Sequence, residues 1–305
     1  MALSEGIRQE GLSVLVAGAS GLIGTQLTAE LANRGHSVYL LVRSTPRDAT
    51  EYHWNPSDGT IQSGVLDHID VVVNLSGASI GKIPWTNKYK DLILQSRLSA
   101  TRTLVRAINE AKNPPSALIQ ASAVGFYGDR GDEALTEDSS RGEGFLADVC
   151  IAWESETSSL PDSVRVAIAR TGLVIAHGGA MAPLRLQTML GAAGPVGPGS
   201  QWWPWISLHD EVQALVYMIE NPLMKGAYNL TAPTPVTSVT VTKELARQMG
   251  RPHWLGLPSL AINLLMGEAG RELLLSSQKV HPTRLEQAGF SFDDTTIDQA
   301  IARII

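Results

Sequence analysis

Short apolar runs alternate with helix-like patterns over the first half of the chain. Residues 12–17 (LSVLVA), 37–42 (SVYLLV) and 69–77 (IDVVVNLSG) each predict a buried strand. Between the first two runs, the spacing of leucines predicts a helix from residue 22 to about residue 34. Continuous Val/Leu runs that alternate with helices are typical of a parallel sheet with both faces covered.

The alternation continues to about residue 176. The predicted elements are a long helix from near Trp85 to Lys112, a strand at 116–122, a helix that carries Cys150 and Trp153, and a strand at 164–176. A stretch with Pro46, Pro56 and Gly59 is predicted as turn-rich, and residues 128–144 are predicted as a loop.

The second half has a different character. Residues 191–204 are rich in Gly, Pro and Trp, a short strand is predicted at 227–232, and helices are predicted near 209–220, 236–249 and 258–277. We therefore predict an α/β protein with a Rossmann-type, doubly wound parallel sheet over residues 11–175 and a smaller substrate-side lobe over residues 176–305. Later strands of the sheet are expected to come from the C-terminal half.

Composition and charge exclude several classes of protein. The formal net charge is -6 and no basic cluster occurs, which argues against nucleic-acid binding. The single cysteine allows no internal disulfide and fits a cytoplasmic location. No apolar stretch reaches the length of a membrane span, and the polar residues 1–10 lack the apolar core of a secretory segment.

A glycine-rich loop stands between the first predicted strand and the first predicted helix. Its sequence is Gly18-Ala-Ser-Gly21-Leu-Ile-Gly24. Glycines at this spacing allow a tight turn, close approach of the backbone to a pyrophosphate, and close packing of helix on strand. The loop therefore predicts a dinucleotide-binding site, with phosphates at the helix N-terminus.

The end of the second strand predicts which dinucleotide binds. An NAD site usually carries Asp or Glu at this position, whereas this chain has Arg43 and Ser44. A guanidinium suits a 2′-phosphate by its charge and by its forked geometry. These residues favour an NADP(H) site. The alternative is that Arg43 is only a solvated arginine at a strand end.

Several longer motifs resemble one known family. They include GASGLIG (18–24), ASAVGFYG (121–128), RVAIARTGLVI (165–175), GPVGPGSQWWPWISLHDEV (194–212) and LLLSSQKVHPTRLEQAGF (273–290). With the other matching stretches they span nearly the whole chain. The chain resembles atypical, extended short-chain dehydrogenase/reductases, and more closely the epimerase family of NAD-dependent, nucleoside-diphosphate-sugar-epimerase-like proteins.

The resemblance implies roles for residues along the cofactor. The residues implied at the pyrophosphate are Gly18, Ser20, Gly21, Leu22, Ile23 and Gly24, those at the 2′-phosphate are Arg43 and Ser44, and those along the adenosine and ribose are Leu75, Ser76 and Gly77. Arg97 on the long helix stands where sugar epimerases tend to carry Asn. Either Arg97 reaches the cofactor or it is an ordinary helix-surface arginine, and both interpretations stay open.

The superfamily's catalytic pattern is missing. Its enzymes typically use Tyr-x-x-x-Lys on a helix, in which the lysine lowers the pKa of the tyrosine. No such pair occurs, and Leu146 and Cys150 occupy the two places. The usual hydroxyl position is Ala123, so Ser122 and Tyr127 remain the catalytic candidates.

Aromatic residues in the second half suggest a substrate-side wall. Trp202, Trp203 and Trp205 could contact a flat or sugar-like ligand or could seal the lobe against the sheet, and His209-Asp210 is better explained by a helix N-terminus. No metal-ligand spacing occurs.

Two functional hypotheses follow. The first is an NADP(H)-binding, epimerase-like oxidoreductase or isomerase acting on an unassigned small molecule. The second is a non-catalytic NADP(H)-binding redox sensor or interaction module. The sequence does not assign an oligomeric state.

Overall fold

The fold is taken from a computed structural model that describes residues 11–305. The prediction about residues 1–10 lies outside the described residues. The strands are β1 (Ser13–Ala17), β2 (Ser37–Val42), β3 (Glu51–Asn55), β4 (Thr60–Ile61), β5 (Val71–Asn74), β6 (Ala117–Ala123), β7 (Ala134–Leu135), β8 (Arg165–Thr171), β9 (Leu173–Ile175), β10 (Trp202–Trp203), β11 (Trp205–Ser207), β12 (Gly226–Leu230), β13 (Val236–Thr237) and β14 (Lys279–Val280).

The helices alternate with these strands. They are α1 (Leu22–Asn33), α2 (Asn87–Glu110), α3 (Phe145–Ser155), α4 (Met181–Met189), α5 (Leu208–Glu220), α6 (Ser238–Gln248), α7 (Ser259–Met266), α8 (Glu268–Gly270), α9 (Thr283–Gln287) and α10 (Ile297–Ala302). Short 3₁₀ turns occur at Val65–His68 and Val124–Tyr127, and a π-helical turn occurs at Arg271–Leu275.

The main sheet has eight strands in the order β12-β8-β6-β5-β1-β2-β3-β4. Every pairing is parallel except that of β3 with β4, which is antiparallel. The chain runs outward in both directions from β1, so the strand order reverses between β1 and β5. The prediction of a doubly wound parallel sheet is confirmed, and the reversal marks the edge where such sheets bind ligands.

The two faces of the sheet carry different helices. Val14 and Val16 of β1 face the cluster that contains Leu27 of α1 and Leu215 of α5. Leu15 and Ala17 face the opposite cluster, which contains residues of α2. This alternation follows from the two-residue period of a strand, and it buries Val14–Ala17 completely.

The turn-rich stretch after β2 contains two strands that the sequence pattern missed. Leu40 of β2 pairs with Glu51 of β3, and Trp54 of β3 is buried. The polar residues of β3 obscured its period, because this strand lies near the sheet edge, where only part of its surface meets the core. The turn-forming residues at 56–59 connect β3 to β4 as a hairpin.

The C-terminal half contributes both to the main sheet and to a separate cluster. β12 joins the large sheet beside β8, and α5 packs on the same sheet. α4, α6, α7 and α10 contribute buried residues to a third hydrophobic cluster around Trp205. The division of the chain at residues 175 and 176 stays a prediction.

The prediction of a single helix over residues 258–277 is wrong. Gly267 ends α7 with a φ of 58°, a left-handed conformation, and the chain continues through α8 and the π-helical turn. Among residues 11–305, no helix combines the length and the apolar character that crossing a membrane requires.

Candidate functional site

The glycine loop joins β1 to α1 at the point where the strand order reverses. Gly18 has a φ of 86°, and a Cβ there would lie 2.7 Å from the carbonyl oxygen of Leu75. A Cβ on Gly24 would overlap the carbonyl oxygen of Gly18. Both positions therefore require glycine, one for the turn and one for close packing of the helix on the loop.

The N-terminus of α1 is free to bind an anion. Gly21 is the N-cap, no side chain caps the helix, and the first turn contains no acidic residue. Ser20, Gly21 and Leu22 are all exposed, while Ile23 is partly buried. The positive end of the helix and its free N–H groups thus face outward at the carboxyl edge of the sheet.

Arg43 and Ser44 directly follow β2 at the same edge. The register pairs Ala17 with Leu41, so Gly18 and Arg43 leave neighbouring strands within two residues of this pair. Arg43 is exposed, and among residues 11–305 no carboxylate lies within 4.0 Å of its guanidinium. Arg47, four residues later, instead donates through Nε to Glu51 at 2.8 Å.

On the other side of β1, the end of β5 leads into a second loop. The Leu75 N–H donates to the carbonyl oxygen of Ala17 at 2.9 Å, which holds Leu75, Ser76 and Gly77 beside the glycine loop. Asn74 is fully buried and supports this turn, because its Oδ1 accepts a 3.2 Å hydrogen bond from the Ser76 N–H.

Arg97 points from α2 toward this second loop. Its Nη1 donates to the carbonyl oxygens of Ala78 at 3.1 Å and Ile93 at 2.9 Å, and its guanidinium lies 5.0 Å from the Trp153 ring centre. A Cβ on Gly77 would lie 3.0 Å from the Cζ atom of Arg97, so the guanidinium lies directly against this glycine. Burial lowers the pKa of Arg97, and no acidic group in the described part of the chain pairs with it. Arg97 is thus a half-buried cation beside the loop.

The two catalytic candidates lie in a closed network. Ser122 donates through Oγ to Glu154 at 2.6 Å, and Glu154 forms a two-point ion pair with Arg170 at 2.9 Å for each contact. Arg170 also donates to the Tyr127 hydroxyl at 3.0 Å, and Tyr127 donates to Asn229 at 2.7 Å. Tyr127 is fully buried and Ser122 is 4% exposed.

The network leaves neither hydroxyl available to a substrate in this arrangement. Burial is the main cause of the raised pKa of Tyr127, and the neighbouring guanidinium of Arg170 only partly offsets it. The geometry favours a structural role for both residues. The sequence did not identify Glu154, Arg170 and Asn229, whose polar side chains lie on three separate elements and carry no joint motif.

The places of the missing Tyr and Lys contain no replacement acid or base. Leu146 lies against Gly125, and Cys150 donates weakly to the Ala123 carbonyl oxygen at 3.6 Å. Burial raises the pKa of the Cys150 thiol to about 11, so the thiol is neutral at physiological pH.

A carboxylate from the C-terminal segment caps α3. Glu272 accepts hydrogen bonds from the N–H groups of Phe145 at 3.1 Å and Leu146 at 3.3 Å, and burial raises its pKa. Nearby, Lys90 of α2 forms a 2.8 Å ion pair with Glu268. These contacts fix residues 268–272 over the ends of α2 and α3, a long-range pairing without a sequence signal.

The tryptophan segment is mainly internal. Trp203 and Trp205 are 5% and 1% exposed, and their indole N–H groups donate to backbone carbonyls. Trp202 is half-buried and donates to Asp132 at 2.7 Å. The arrangement favours the prediction that these side chains seal the lobe.

His209 and Asp210 lie in the first turn of α5, where Ser207 is the N-cap. His209 pairs with Asp293 at 2.7 Å, while Asp210 accepts backbone N–H bonds from residues 293 and 294. The three side chains could together approach one ion, yet each already has a partner that ties α5 to the chain near Asp293.

Comparison with known proteins decides the family. The model of the NAD-dependent epimerase/dehydratase family matches residues 14–231, and a domain of unknown function matches residues 257–304. The chain belongs to the NAD-dependent epimerase/dehydratase family. Its similarity to atypical short-chain dehydrogenase/reductases, predicted from the motifs, is also confirmed.

Members of this family resemble the chain over nearly its full length. An epimerase family protein of Mycobacterium bovis is 41% identical over 290 residues, which cover 94% of this chain and 96% of that protein. The crystal structure of the human epimerase family protein SDR39U1 (isoform 2) with NADPH has a TM-score of 0.89 and 32% identity, covering 96% of this chain and 99% of that one.

A third relative is longer than this chain. The nucleoside-diphosphate sugar epimerase structure from Corynebacterium glutamicum is 36% identical with a TM-score of 0.79, covering 96% of this chain and 57% of that one. The shared region therefore includes both the sheet and the C-terminal segment of the family fold.

Proposed function

We propose that this chain binds NADP(H) at the carboxyl edge of β1, β2 and β5. The glycine loop and the uncapped N-terminus of α1 lie at this edge, together with two cations, Arg43 and Arg97, that have no acidic partner among residues 11–305. The human relative of known structure was crystallised with NADPH, which supports the same cofactor here. The residues present fit the group because they offer the free N–H groups of an exposed, uncapped helix N-terminus to a pyrophosphate and positive charge near it.

The proposed contacts follow from position along this edge. The pyrophosphate is assigned to the loop from Gly18 to Gly24, with Ser20, Gly21, Leu22 and Ile23 around the helix N-terminus. Leu75, Ser76 and Gly77 are assigned to the adenosine and ribose. Arg97, whose guanidinium lies beside Gly77, is assigned to a phosphate or ribose oxygen.

The observation that carries the choice of NADP(H) over NAD(H) is the exposed guanidinium of Arg43 after β2, which forms no ion pair within the described part of the chain. A charge-assisted hydrogen bond contributes roughly 1.5–3 kcal/mol, so we expect a ten- to hundredfold preference for NADPH over NADH. Calorimetric titration of the purified chain with both cofactors measures this preference directly.

Variants separate the 2′-phosphate contact from general charge effects. Arg43→Ala is expected to remove most of the preference by weakening NADPH binding and leaving NADH binding nearly unchanged. Arg247→Ala is the control, because Arg247 is also exposed but pairs with Glu244 on α6. Equal affinity of the wild type for both cofactors, or an unchanged preference in Arg43→Ala, would contradict the assignment.

Two functions are proposed for the chain with its cofactor bound. The first is that of an epimerase-like oxidoreductase acting on a small molecule. NADPH supplies a hydride when bound, and the chain binds and orients it. The proton is not expected to pass through Tyr127, whose hydroxyl is buried between Arg170 and Asn229.

A second function, that of a redox sensor or interaction module, is favoured by the same closed network. Assays with NADPH against carbonyl compounds and nucleotide sugars distinguish the two. Turnover of any of these compounds favours the oxidoreductase. Tight NADPH binding without turnover across the panel favours the sensor or module, and fast sugar epimerisation would contradict our interpretation of the missing Tyr/Lys pair.

A further inference from the structure

The proposed course of the dinucleotide leaves one stretch of the sheet edge for its reactive end. The loops after β2, β1 and β5 are assigned to the 2′-phosphate, the pyrophosphate and the adenosine. The next strand beyond β5 is β6, so the nicotinamide end is expected to extend over the end of β6. The first turn of α3 packs there, because a Cβ on Gly125 would lie 3.2 Å from the Cβ atom of Leu146. A reaction is therefore expected beside the N-terminus of α3.

A carboxyl group from the C-terminal segment is held at this N-terminus. Glu272 accepts the Phe145 N–H through Oε1 at 3.1 Å and the Leu146 N–H through Oε2 at 3.3 Å. Leu146 occupies the place of the superfamily's tyrosine. The carboxyl of Glu272 thus lies against the backbone of the residue from which the missing phenol would extend.

The glycine before α3 makes this approach possible. Gly144 has a φ of 111°, which favours glycine, and a Cβ at this position would overlap Oε1 of Glu272. Any side chain at residue 144 would therefore displace the carboxyl. The backbone before α3 and the two N–H groups together fix the position of Glu272.

Partly exposed aromatic and charged side chains adjoin the carboxyl. Phe145 meets Trp85, from the loop after β5, edge to face with 5.3 Å between ring centres. The Lys90 ammonium lies 4.4 Å from the Phe145 ring centre and pairs with Glu268 at 2.8 Å. Because Trp85, Lys90 and Phe145 are all partly exposed, a small molecule can reach this surface beside Glu272.

Accessibility distinguishes Glu272 from other carboxyls that burial favours in their protonated form. Among residues 11–305, burial raises the pKa of four carboxyls, those of Glu137, Asp210, Glu211 and Glu272. The first three residues are 7%, 1% and 1% exposed, whereas Glu272 is only partly buried. Glu268 raises the pKa of Glu272 further, while the two N–H bonds and Lys90 lower it. Glu272 can therefore hold a proton and also touch a small molecule.

We propose that Glu272 is the catalytic acid of this chain and delivers the proton that the missing tyrosine would supply. This role rests on the proposed function of an NADP(H)-dependent oxidoreductase, with a carbonyl compound as the substrate. As the carbonyl carbon accepts a hydride from NADPH, the π electron pair moves to the carbonyl oxygen. The O–H bond of Glu272 breaks and its proton passes to that oxygen, giving an alcohol, NADP⁺ and a carboxylate. The N–H groups of Phe145 and Leu146 stabilise the carboxylate until water returns a proton to it.

Glu272→Gln tests the role in catalysis, because glutamine can still accept an N–H bond from α3 but has no acidic proton. With NADPH and a panel of aliphatic and aromatic aldehydes and ketones, we expect kcat to fall at least about a hundredfold. The affinity for NADPH is expected to stay nearly unchanged. In the wild type, kcat/KM should fall as pH rises through the pKa of Glu272, and the variant should lack this fall. Glu143→Gln is the matched control, since Glu143 is exposed just before Gly144, and it should behave as the wild type.

Proton uptake on NADPH binding provides a readout that needs no turnover. Calorimetry near neutral pH in buffers of different ionisation enthalpy measures it. A bound dinucleotide brings negative charge to the edge and removes water from the carboxyl, and both effects raise the pKa of Glu272. The wild type and Glu143→Gln are therefore expected to take up more protons than Glu272→Gln. Equal uptake in all three would contradict the placement of Glu272 beside the bound cofactor.

Failure of this role and failure of the proposed function give different results. A wild type that does not bind NADPH contradicts the proposed function itself. Tight NADPH binding overturns only the role of Glu272 if the wild type reduces no compound of the panel, or if Glu272→Gln is as fast as the wild type.

A second variant separates proton delivery from the capping of α3. Glu272→Asp keeps an acidic proton on a shorter side chain, so we expect it to reduce the same compounds faster than Glu272→Gln. Circular dichroism and thermal unfolding establish that each variant is folded. Folded variants that are equally slow would assign Glu272 to capping α3 alone. If Glu272→Gln does not fold, the pH profile of Glu272→Asp decides, since it shifts from that of the wild type only if this carboxyl delivers the proton.

Discussion

At the sheet's carboxyl edge, the polar side chains of one half lack charged partners, whereas those of the other half are hydrogen-bonded to charged partners. Beside β1, neither Arg43 nor Arg97 has an acidic partner among residues 11–305, and Arg97 donates to backbone carbonyls and lies over an aromatic ring. Beside β6 and β8, Ser122 and Tyr127 are joined by short hydrogen bonds to Glu154 and Arg170.

The difference separates two properties that usually occur together in this superfamily. Side chains that bind a ligand often carry a charge without a partner in the protein, whereas side chains that stabilise the fold form hydrogen bonds and ion pairs within it. On this criterion the chain retains the means to hold a dinucleotide. We expect the part of the edge around Ser122 and Tyr127 to stabilise the fold rather than to act on a substrate.

The largest expected effect is on the closed side. Arg170→Met removes one partner of a buried ion pair, whose arginine and glutamate side chains are 7% and 11% exposed. We expect the free energy of unfolding to fall by about 3–5 kcal/mol, because Glu154 is left charged and buried. Urea denaturation measures the loss.

The control for Arg170→Met is Arg102→Met. Arg102 donates to Glu156 at 2.8 Å, but it is 57% exposed, so we expect a loss below about 1 kcal/mol. Similar losses of unfolding free energy in both variants would mean that burial does not increase the cost of breaking the Arg170–Glu154 ion pair.

The next effect concerns a buried carboxyl at the end of β8. Glu211 accepts a 2.7 Å hydrogen bond from Thr171, and burial raises the pKa of Glu211 to about 8. The folded chain keeps a proton that the unfolded chain releases above about pH 4.5. The contribution of Glu211 to stability is therefore fully present below about pH 4.5 and is lost as pH rises toward 8, by up to about 1.4 kcal/mol for each pH unit.

Glu211→Gln tests this pH dependence. The variant cannot ionise, so we expect it to gain stability over the wild type as pH rises from 5 to 8. Denaturant unfolding at both pH values gives the comparison. A constant difference between variant and wild type would show that Glu211 titrates in the same way in both states.

A smaller effect is expected on the open side. Arg97→Met should weaken NADPH binding about ten- to hundredfold, which corresponds to roughly 1.5–3 kcal/mol for a lost charged hydrogen bond. Fluorescence titration of NADPH measures the affinity, and Arg106→Met on the same helix is the control. Unchanged affinity together with a lower melting temperature would make Arg97 purely structural.

The smallest effect is expected for Ser122→Ala. The hydroxyl donates to Glu154, so we expect a loss of about 1 kcal/mol of unfolding free energy and no change in NADPH affinity. Ser155→Ala, at the exposed end of α3, serves as the control. A variant of normal stability that lost a measured turnover would return Ser122 to a catalytic role.

The sequence predicted best what depends on local pattern. The buried strands and the glycine loop have signals within a few residues, because strand period and turn geometry are local properties. β3 was missed because its side chains are mostly polar, and the break at Gly267 was missed because leucines continue on both sides of it.

The site was less predictable where contacts join distant residues. Arg43 could be proposed from its position after β2, since strand order fixes that edge. The partner of Ser122 could not, because Glu154 lies on α3 and Arg170 on β8, and only the packed fold brings them together. Glu272, which caps α3 from more than a hundred residues away, is a similar case.

The chain's single cysteine gives a way to follow its motions. Cys150 is 3% exposed, and with a pKa of about 11 it has almost no thiolate at neutral pH. A thiol reagent can therefore label the folded protein only when α3 moves away from β6. The labelling rate would report how often α3 opens. A bound dinucleotide that lowers this rate would show that the cofactor side of the edge and the side that contains α3 are energetically coupled.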